Sequence, residues 1–427
     1  MLDSAKRQRS RLIGPFAAAL LSLCAAHPAG AAAPSAGEVI AHYADLAQAA
    51  YGDSLVAGRS LQTAVDAFLQ HPDNATLALA RTAWKVSRVP YMQTEGFRFA
   101  NSVVDEVEPR LNAWPIDEGL IDYVAPSYGD SSDSNPYYAL NIIARPTVTV
   151  GGKEIDARVI DKPLLRRLQQ AEGVETNVAT GYHAVEFLLW GQDLHGTGPG
   201  AGERPASDYD LAHCSHGNCD RRAAYLRAAA SLLVDDLAEL SADWAPGGKA
   251  RAELMGKGEA GGLSEILTGV GSLGFGEMAG ERMKLGLMLH DPEEEQDCFS
   301  DNTQNSHAYD EAGIAGIWRG RYVAIDGKVT DGPSLRDLTA AKDPAVAARL
   351  DQAIDAATAK ISLIKTTADS GKMAYDQMLA PGNAEGAALI NDAMQALVAQ
   401  TRAVEGVATT LQTPVATNRT DHPAKIR

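Results

Sequence analysis

The sequence lacks the basic charge that a nucleic-acid-binding protein needs. Its 427 residues include 38 lysines and arginines against 55 aspartates and glutamates, a formal net charge of −17. Contacts to phosphate groups require clustered lysine and arginine side chains, so we expect no nucleic-acid partner. The hydrophobic fraction of 45% is typical of a globular chain, which excludes extensive disorder.

Several catalytic signatures are missing as well. The sequence has no His-Glu-x-x-His helix, no Gly-x-Ser-x-Gly elbow and no phosphate loop that ends in Gly-Lys-Ser/Thr. Ten histidines, several of them in predicted loops, make a histidine-rich zinc site difficult to assemble. The candidate chemistry that remains is based on carboxylates with a single central histidine.

The first 33 residues have the pattern of an export signal. Four basic residues between positions 6 and 11 precede an apolar run over residues 12–26, and small residues follow at 29–31. This arrangement predicts a signal peptide over residues 1–33 and a mature protein in the periplasm or cell envelope. Cys24 offers a lipid anchor as an alternative, although Leu23 stands where a lipidation site needs a small residue.

Export changes the interpretation of the three later cysteines, which are Cys214, Cys219 and Cys298. An oxidising compartment favours a disulfide between Cys214 and Cys219 across a short loop. A zinc site in which His213 and His216 join these two cysteines is the alternative, but four ligands within seven residues would strain tetrahedral geometry. The pairing of Cys298 stays open.

Helical periodicity dominates the rest of the chain and predicts an all-α fold of two helical bundles. We expect an N-terminal domain over residues 34–205 and a C-terminal domain over 206–427. Two alternating segments, 147–155 and 322–329, contain Gly-Gly and Asp-Gly and predict small β-hairpins in loops. The predicted helices cover 36–71, 74–108, 161–191, 219–243, 262–290, 342–370 and 385–411.

One stripe of the predicted helix 74–108 mixes aromatic and charged side chains. Its members, Trp84, Arg88, Tyr91, Glu95 and Arg98, are spaced alternately four and three residues apart. One interpretation is a partly buried polar pocket in which Glu95 is oriented by Arg98. The other is a solvated helix edge with a local ion pair.

The strongest local signal is Gly181-Tyr182-His183-Ala184-Val185-Glu186, because His183 and Glu186 share one face of a predicted helix. Residues 187–190 are apolar or aromatic, so the polar pair is expected to be buried with a partner. Gly181 is expected to clear space beside the pair. A histidine hydrogen-bonded to its own neighbour is the simpler alternative.

A third helical segment adds more carboxylates. Glu277 and Glu281 lie one turn apart, and Arg282 follows directly. An acid-rich loop over residues 293–303 comes next and includes Asp301; we expect Glu293 to Glu295 to be a solvated run of charge. Oxygen-rich ligation suits hard cations, and one histidine admits iron, manganese or zinc.

These elements resemble the imelysin-like, iron-regulated periplasmic proteins. The resemblance covers the Gly-x-His-x-x-Glu element and the segments 91–99, 112–118, 188–193, 280–283 and 298–303. It implies two helical-bundle domains with a site between them, a role in bacterial iron acquisition and a classification as a metallopeptidase. Gln296 and Gln304 stand where family members often carry histidine, which leaves fewer nitrogen ligands.

We therefore expect the protein to bind a metal ion, iron first and zinc second, or a small metal-bearing ligand. The predicted ligands are Glu95, His183, Glu186 and Glu281, and the predicted supporting residues are Tyr91, Arg98, Gly181, Glu277, Arg282 and Asp301. The expected partner is the iron-uptake machinery of the cell envelope. A zinc-type metallopeptidase with Glu186 as general base and a non-catalytic surface-interaction protein are the alternatives.

Overall fold

The computed structural model describes residues 33–418. The predicted signal peptide, apart from Ala33, lies outside these residues, and so does Cys24. Helices make up most of the described part, and the β structure in it is two short hairpins. The predicted all-α fold class is confirmed.

The helices follow one another along the chain, and the two longest connections between them are residues 113–161 and 191–218. They are α1 (Ala36–Gln70), α2 (Asn74–Met92), α3 (Ser102–Asn112), α4 (Lys162–Leu168), α5 (Gly181–Trp190), α6 (Cys219–Asp243), α7 (Lys249–Gly256), α8 (Gly258–Ser272), α9 (Leu285–Leu289), α10 (Thr303–Arg319), α11 (Leu335–Lys342), α12 (Pro344–Asp369), α13 (Tyr375–Leu379) and α14 (Ala384–Leu411). A π-helical stretch, Leu273–Lys284, joins α8 to α9.

The first two helices begin where the sequence supplies capping side chains. The Ser35 hydroxyl accepts a hydrogen bond from the Glu38 amide at 3.2 Å, and the Glu38 carboxylate accepts one from the Ser35 amide at 2.8 Å. Asp73 accepts hydrogen bonds from the Ala75 and Thr76 amides, both at 2.8 Å. Each cap satisfies backbone donors that have no partner inside the helix.

The core is formed by long helices that pack side by side. Helix α1 lies against α2 and α6, and α12 lies against α14. Leu61, Val65 and Phe68 on α1 are fully buried, and burial of one such side chain contributes about 1.5–3 kcal/mol. Among residues 33–418, no helix is both long enough and apolar enough to cross a bilayer.

Both predicted hairpins are present. Strands β1 (Thr147–Val150) and β2 (Lys153–Asp156) are antiparallel, with Val150 opposite Lys153. Gly151 and Gly152 have φ of 58° and 71°, the left-handed values that a two-residue hairpin turn requires. The second hairpin pairs β3 (Arg321–Val323) with β4 (Val329–Asp331).

The single helix predicted over residues 74–108 is wrong. Helix α2 ends at Met92, Glu95–Phe97 form a 3-10 turn, and α3 begins at Ser102. Pro90 has no backbone N–H to donate near the end of α2 and leaves one hydrogen bond of its last turns unmade. The predicted stripe is therefore divided between a helix and the turn that follows it.

The single helix predicted over 161–191 is also wrong, because residues 169–180 separate α4 from α5. Gly181 has φ of 89°, and a Cβ atom there would lie 2.5 Å from the Leu111 carbonyl oxygen. This left-handed position breaks the helical path and allows α5 to start afresh.

Helix α10 was not predicted. Its sequence places His307, Asp310 and Glu311 in the interior, and these buried polar residues mask the apolar periodicity on which the prediction depended.

Helices from both predicted domains pack together, since α1 lies against α6. The chain from Pro34 onward clusters as one compact unit. The predicted boundary between residues 205 and 206 stays a prediction.

Candidate metal centre

Helix α5 carries the two central residues of the candidate site. All ten of its residues are buried, as expected for a helix whose faces are apolar except where His183 and Glu186 lie. His183 and Glu186 lie one turn apart, and His183 Nδ1 is 2.9 Å from Glu186 Oε2. The pairing follows from local helix geometry, so the sequence was sufficient to predict it.

Asp297 joins these two residues from a distant part of the chain. We call His183, Glu186 and Asp297 the histidine cluster; one possible ligand atom from each lies within 4.8 Å of the other two. Asp297 Oδ1 is 4.0 Å from His183 Nδ1. The Ser300 amide donates to Glu186 Oε1 at 3.0 Å, which holds the loop containing Asp297 against α5.

Several donors keep the Asp297 carboxylate ionised. Arg88 Nη2 lies 2.7 Å from Asp297 Oδ1, and the Asn302 amide group donates to Oδ2 at 3.0 Å. The Ser306 hydroxyl donates to the same Oδ2. Burial alone would raise the pKa of Asp297, but Arg88 and the other donors outweigh it and hold the pKa below its ordinary value.

Burial shifts the other two members of the histidine cluster toward their neutral forms. Burial, reinforced by Arg88, lowers the pKa of His183 to about 3. Burial, reinforced by Asp297, raises the pKa of Glu186 well above its ordinary value. His183 Nε2 is buried and forms no hydrogen bond with any residue in the described part of the chain. A neutral imidazole with a free nitrogen is the form that binds metals.

Glu95, a predicted ligand, lies in a different group. We call Glu95, Arg98, Glu277, Arg282 and Asp310 the arginine cluster. Arg282 Nη2 is 2.7 Å from Glu95 Oε2, and Arg98 Nε is 3.3 Å from the same oxygen. Each of these three residues is at most 3% exposed, so the alternative of a solvated helix edge is wrong.

The remaining members of the arginine cluster complete this network of buried acidic and basic side chains. Arg282 Nη1 lies 2.9 Å from Asp310 Oδ2. Glu277 Oε2 lies 3.5 Å from a guanidinium nitrogen of both Arg98 and Arg282. The predicted supporting residues Arg98, Glu277 and Arg282 thus come together around Glu95.

Asn112 connects the two clusters. Its side-chain oxygen accepts from Arg88 Nη1 at 2.5 Å, and its amide group donates to Glu95 Oε1 at 3.4 Å. Among residues 33–418, the groups with the spacing of a metal site include neither Glu95 nor Glu281. The structure therefore brings together two of the four predicted ligands.

The other predicted site residues lie around these clusters or apart from them. Glu281 lines a cavity of about 700 Å³ together with Lys284 and Arg402. Tyr91 is buried, and its ring centroid is 4.7 Å from that of Tyr182 on α5. Gly181 allows α5 to approach the end of α3 rather than clearing space beside His183.

The three later cysteines are of two kinds in the structure. Cys214 and Cys219 form a disulfide, and Cys298 is a buried free thiol. The bonded sulfur atoms are unavailable to the alternative zinc site.

Sequence reasoning missed Asp297 as a member of the site. It lies in the acid-rich loop, directly before the segment 298–303 that resembles the imelysin-like proteins, and this position was the available signal. The expectation of a solvated charge run is wrong for Glu295, which is 1% exposed. Arg88 was placed in the mixed stripe, but its ion pair with Asp297 depends on contacts across the fold.

One imidazole nitrogen and two carboxylate oxygens form a donor set that suits iron, manganese or zinc. His183, Glu186 and Asp297 are each at most 1% exposed. A hydrolytic zinc site also needs an open position for water and access for the substrate. The geometry thus fits metal binding better than hydrolysis of a polypeptide.

The chain is similar to one family of proteins in its sequence and to solved structures in its fold. The model of the imelysin peptidase family matches residues 47–404. A structure described as an iron-regulated protein A precursor from Parabacteroides distasonis ATCC 8503 has a TM-score of 0.62 and 19% identity, over 89% of this chain and 97% of that chain. The structure of an imelysin-like protein from Psychrobacter arcticum 273-4 has a TM-score of 0.58 and 17% identity, over 90% of this chain and 99% of that chain. No curated protein matches significantly.

Proposed function

Because this chain belongs to the imelysin family, we propose that it binds a metal ion, iron first, at the histidine cluster and serves bacterial iron acquisition. The observation that carries the proposal is the convergence of His183, Glu186 and Asp297, whose ligand atoms lie within 4.8 Å of one another inside the core. A buried imidazole nitrogen without a protein partner is costly unless a ligand satisfies it.

The protonation states of the metal-free cluster support this proposal. Burial and the neighbouring Asp297 raise the pKa of Glu186 and so favour its protonated form. A metal ion can take the place of that proton, since binding to carboxylates and imidazole releases protons. His183 needs no deprotonation, because burial and Arg88 already keep it neutral.

The charge around the cluster also favours a cation. Two carboxylates and the single guanidinium of Arg88 leave one net negative charge when Glu186 is ionised. Arg88 Nη2 lies 2.7 Å from Asp297 Oδ1, so its positive charge would repel a metal ion of high charge bound at Asp297. A divalent ion, or a small ligand that carries the metal and part of its negative charge, fits this balance.

Iron is placed before zinc for two reasons. Mixed imidazole and carboxylate ligation suits ferrous iron as well as zinc, and one solved structure with this fold is described as an iron-regulated protein A precursor. We further propose that the protein acts in the periplasm or cell envelope with the iron-uptake machinery. Mass spectrometry of the mature N-terminus tests the export step, because cleavage near residue 33 and lipidation at Cys24 give different masses.

Calorimetric titration of the chelator-treated protein tests the function. We expect one ferrous ion per chain to bind under anaerobic conditions, and zinc to compete for the same site. His183→Ala and Glu186→Gln should lose this binding, whereas His71→Ala, which removes an exposed histidine at the end of α1, should retain it.

Two results would contradict this proposed function, and each would favour one of the alternatives. Binding weaker than millimolar that His183→Ala leaves unchanged would remove the metal site and favour a structural role for the His–Glu pair. Chelator-sensitive cleavage of an unfolded protein substrate that Glu186→Gln abolishes would favour the metallopeptidase alternative instead.

A further inference from the structure

A second group of carboxylates lies outside the histidine cluster, and we call Asp193, Asp301 and Asp376 the aspartate cluster. One carboxylate oxygen from each residue lies within 4.8 Å of the other two. The three come from separate segments: Asp193 follows α5, Asp301 lies just before α10, and Asp376 is on α13. Two oxygens bound to one calcium ion lie at most about 5 Å apart, so the spacing suits a shared ion.

Buried polar atoms without hydrogen-bond partners in the described part of the chain are a second indication of a ligand here, independent of the spacing of the carboxylates. Asp376 is 2% exposed, and its Oδ2 accepts no hydrogen bond from the described part of the chain. The neighbouring Tyr375 hydroxyl is buried and equally without a partner among residues 33–418. Nearly all buried polar groups in folded proteins are hydrogen-bonded, so these two atoms indicate a missing ligand.

Glu295 adds a fourth carboxyl group beside Asp376. It is 1% exposed, and neither of its oxygens accepts a hydrogen bond of normal geometry from any described residue, although the Thr303 hydroxyl is close. Its contact with Asp376 joins two carboxyl groups. Such a contact requires either a shared proton or a cation.

No basic side chain neutralises this group directly. Within residues 33–418, no lysine, arginine or histidine forms an ion pair with the aspartate cluster or with Glu295. Lys85 and His195 each lower the pKa of Asp301 from a distance. The Lys85 ammonium group donates to the Ser300 carbonyl oxygen at 2.7 Å, and His195 Nε2 lies 3.9 Å from Glu203 Oε1. Burial and the neighbouring carboxyl groups raise the pKa of Asp193 to about 6.

We propose that the aspartate cluster, together with Glu295, is a second metal site that binds a hard divalent cation, calcium first. All the available ligands are oxygens, which favours calcium or magnesium over iron and zinc. Calcium accepts six to eight oxygens in flexible geometry, and carboxylates from three segments can supply them more readily than they can form the strict octahedron of magnesium. This site is distinct from the histidine cluster and does not depend on the function proposed there.

A bound calcium ion would link the end of α5, the loop before α10 and α13. We therefore expect calcium to raise the melting temperature of the chelator-treated protein and to give a one-to-one calorimetric isotherm. Magnesium should bind more weakly. Asp376→Asn should weaken calcium binding by at least about tenfold, because it removes one charged ligand. In chelator, the same variant should melt higher than the parent, because it removes a buried negative charge.

Matched variants distinguish loss of the calcium site from poor folding and from the loss of any other carboxylate. Asp193→Asn, at a half-buried position, should give the same loss of calcium binding if Asp376→Asn folds poorly. Asp133→Asn removes an exposed carboxylate and should leave calcium binding unchanged. His183→Ala should retain calcium binding while it loses iron, so failure of one site is distinguishable from failure of the other.

Two outcomes would overturn the proposal. One is the absence of any calcium-dependent heat or melting shift in the parent protein at millimolar calcium, which would mean that Glu295 and Asp376 share a proton instead. The other is calcium binding that survives unchanged in both Asp376→Asn and Asp193→Asn.

Discussion

The histidine cluster and the arginine cluster contain the same kind of acidic residue in two different electrostatic environments. Glu95 lies 2.7 Å from one guanidinium and 3.3 Å from another. Glu186 has a histidine and a backbone amide as its partners, and an ionised aspartate raises its pKa. Both glutamates are at most 1% exposed, so burial does not distinguish them.

The difference lies in how the charge is compensated. Around Glu95 two guanidinium groups supply the positive charge, so an added cation at this carboxylate would face both of them. In the histidine cluster positive charge is short, and a proton or a metal ion must provide it. A buried carboxylate is thus a candidate ligand only where the surrounding fold leaves its charge uncompensated.

The largest effect is expected on stability when Glu95 is removed. Glu95→Ala leaves Arg98 and Arg282 buried with less negative charge, and breaking a buried pair costs about 3–5 kcal/mol of unfolding free energy. Chemical denaturation measures the loss. Asp392→Ala, which breaks the exposed pair with Lys360, should cost less than about 1 kcal/mol. Similar losses in both variants would contradict the claim that the buried Arg98 and Arg282 depend on Glu95 to compensate their charge.

The next largest effect is on metal affinity when His183 is removed. His183→Ala should weaken iron binding by about 100-fold or more, because even residues that only orient a ligand account for 10- to 100-fold. Glu95→Gln should change affinity far less, since Glu95 faces arginines. Titration of both variants under the same anaerobic conditions measures the ratio. A larger loss of iron affinity in Glu95→Gln than in His183→Ala would indicate that the arginine cluster binds the metal and the histidine cluster does not.

Arg88 should oppose metal binding at the histidine cluster while it stabilises the fold. Arg88→Gln removes the guanidinium that lies 2.7 Å from Asp297 Oδ1. We expect iron affinity to rise by about tenfold, because a positive charge next to the ion is removed, while the unfolding free energy falls. Weaker iron binding in this variant, measured at a temperature where it is fully folded, would show that Arg88 positions Asp297 for the metal instead.

A smaller effect is expected in the pH dependence of stability without metal. The folded chain holds the Glu186 proton more tightly than the unfolded chain, which releases it above about pH 4.5, the ordinary pKa. The raised pKa therefore contributes stability that is complete below pH 4.5 and is lost as the pH rises toward the folded-state value. Glu186→Gln removes this loss, so its stability relative to the parent should increase with pH. A difference that stays constant between pH 5 and 8 would contradict a raised pKa.

Local patterns made the helical class and the His183–Glu186 pair predictable. Both depend on contacts within three or four residues, which periodicity and spacing describe well. The hairpin at Gly151 and Gly152 was predictable for the same reason, because its turn conformation depends on glycine itself.

The rest depends on contacts between distant segments. Asp297 joins His183 only after the chain has folded, and its 114-residue separation from that histidine left no spacing to interpret. Glu95 is a plausible ligand by residue type, but Arg282, which is 187 residues away in the sequence, lies against it in the fold. Helix α10 escaped prediction because buried polar residues such as His307 mask its apolar face.

The most direct test of the central claim is anomalous diffraction at the iron absorption edge from crystals soaked anaerobically with ferrous iron. We predict a peak within bonding distance of a His183 ring nitrogen and of carboxylate oxygens from Glu186 and Asp297, and no such peak in His183→Ala. A peak located instead at Glu95 between the arginines, or the absence of any peak in the core of the parent protein, would contradict it.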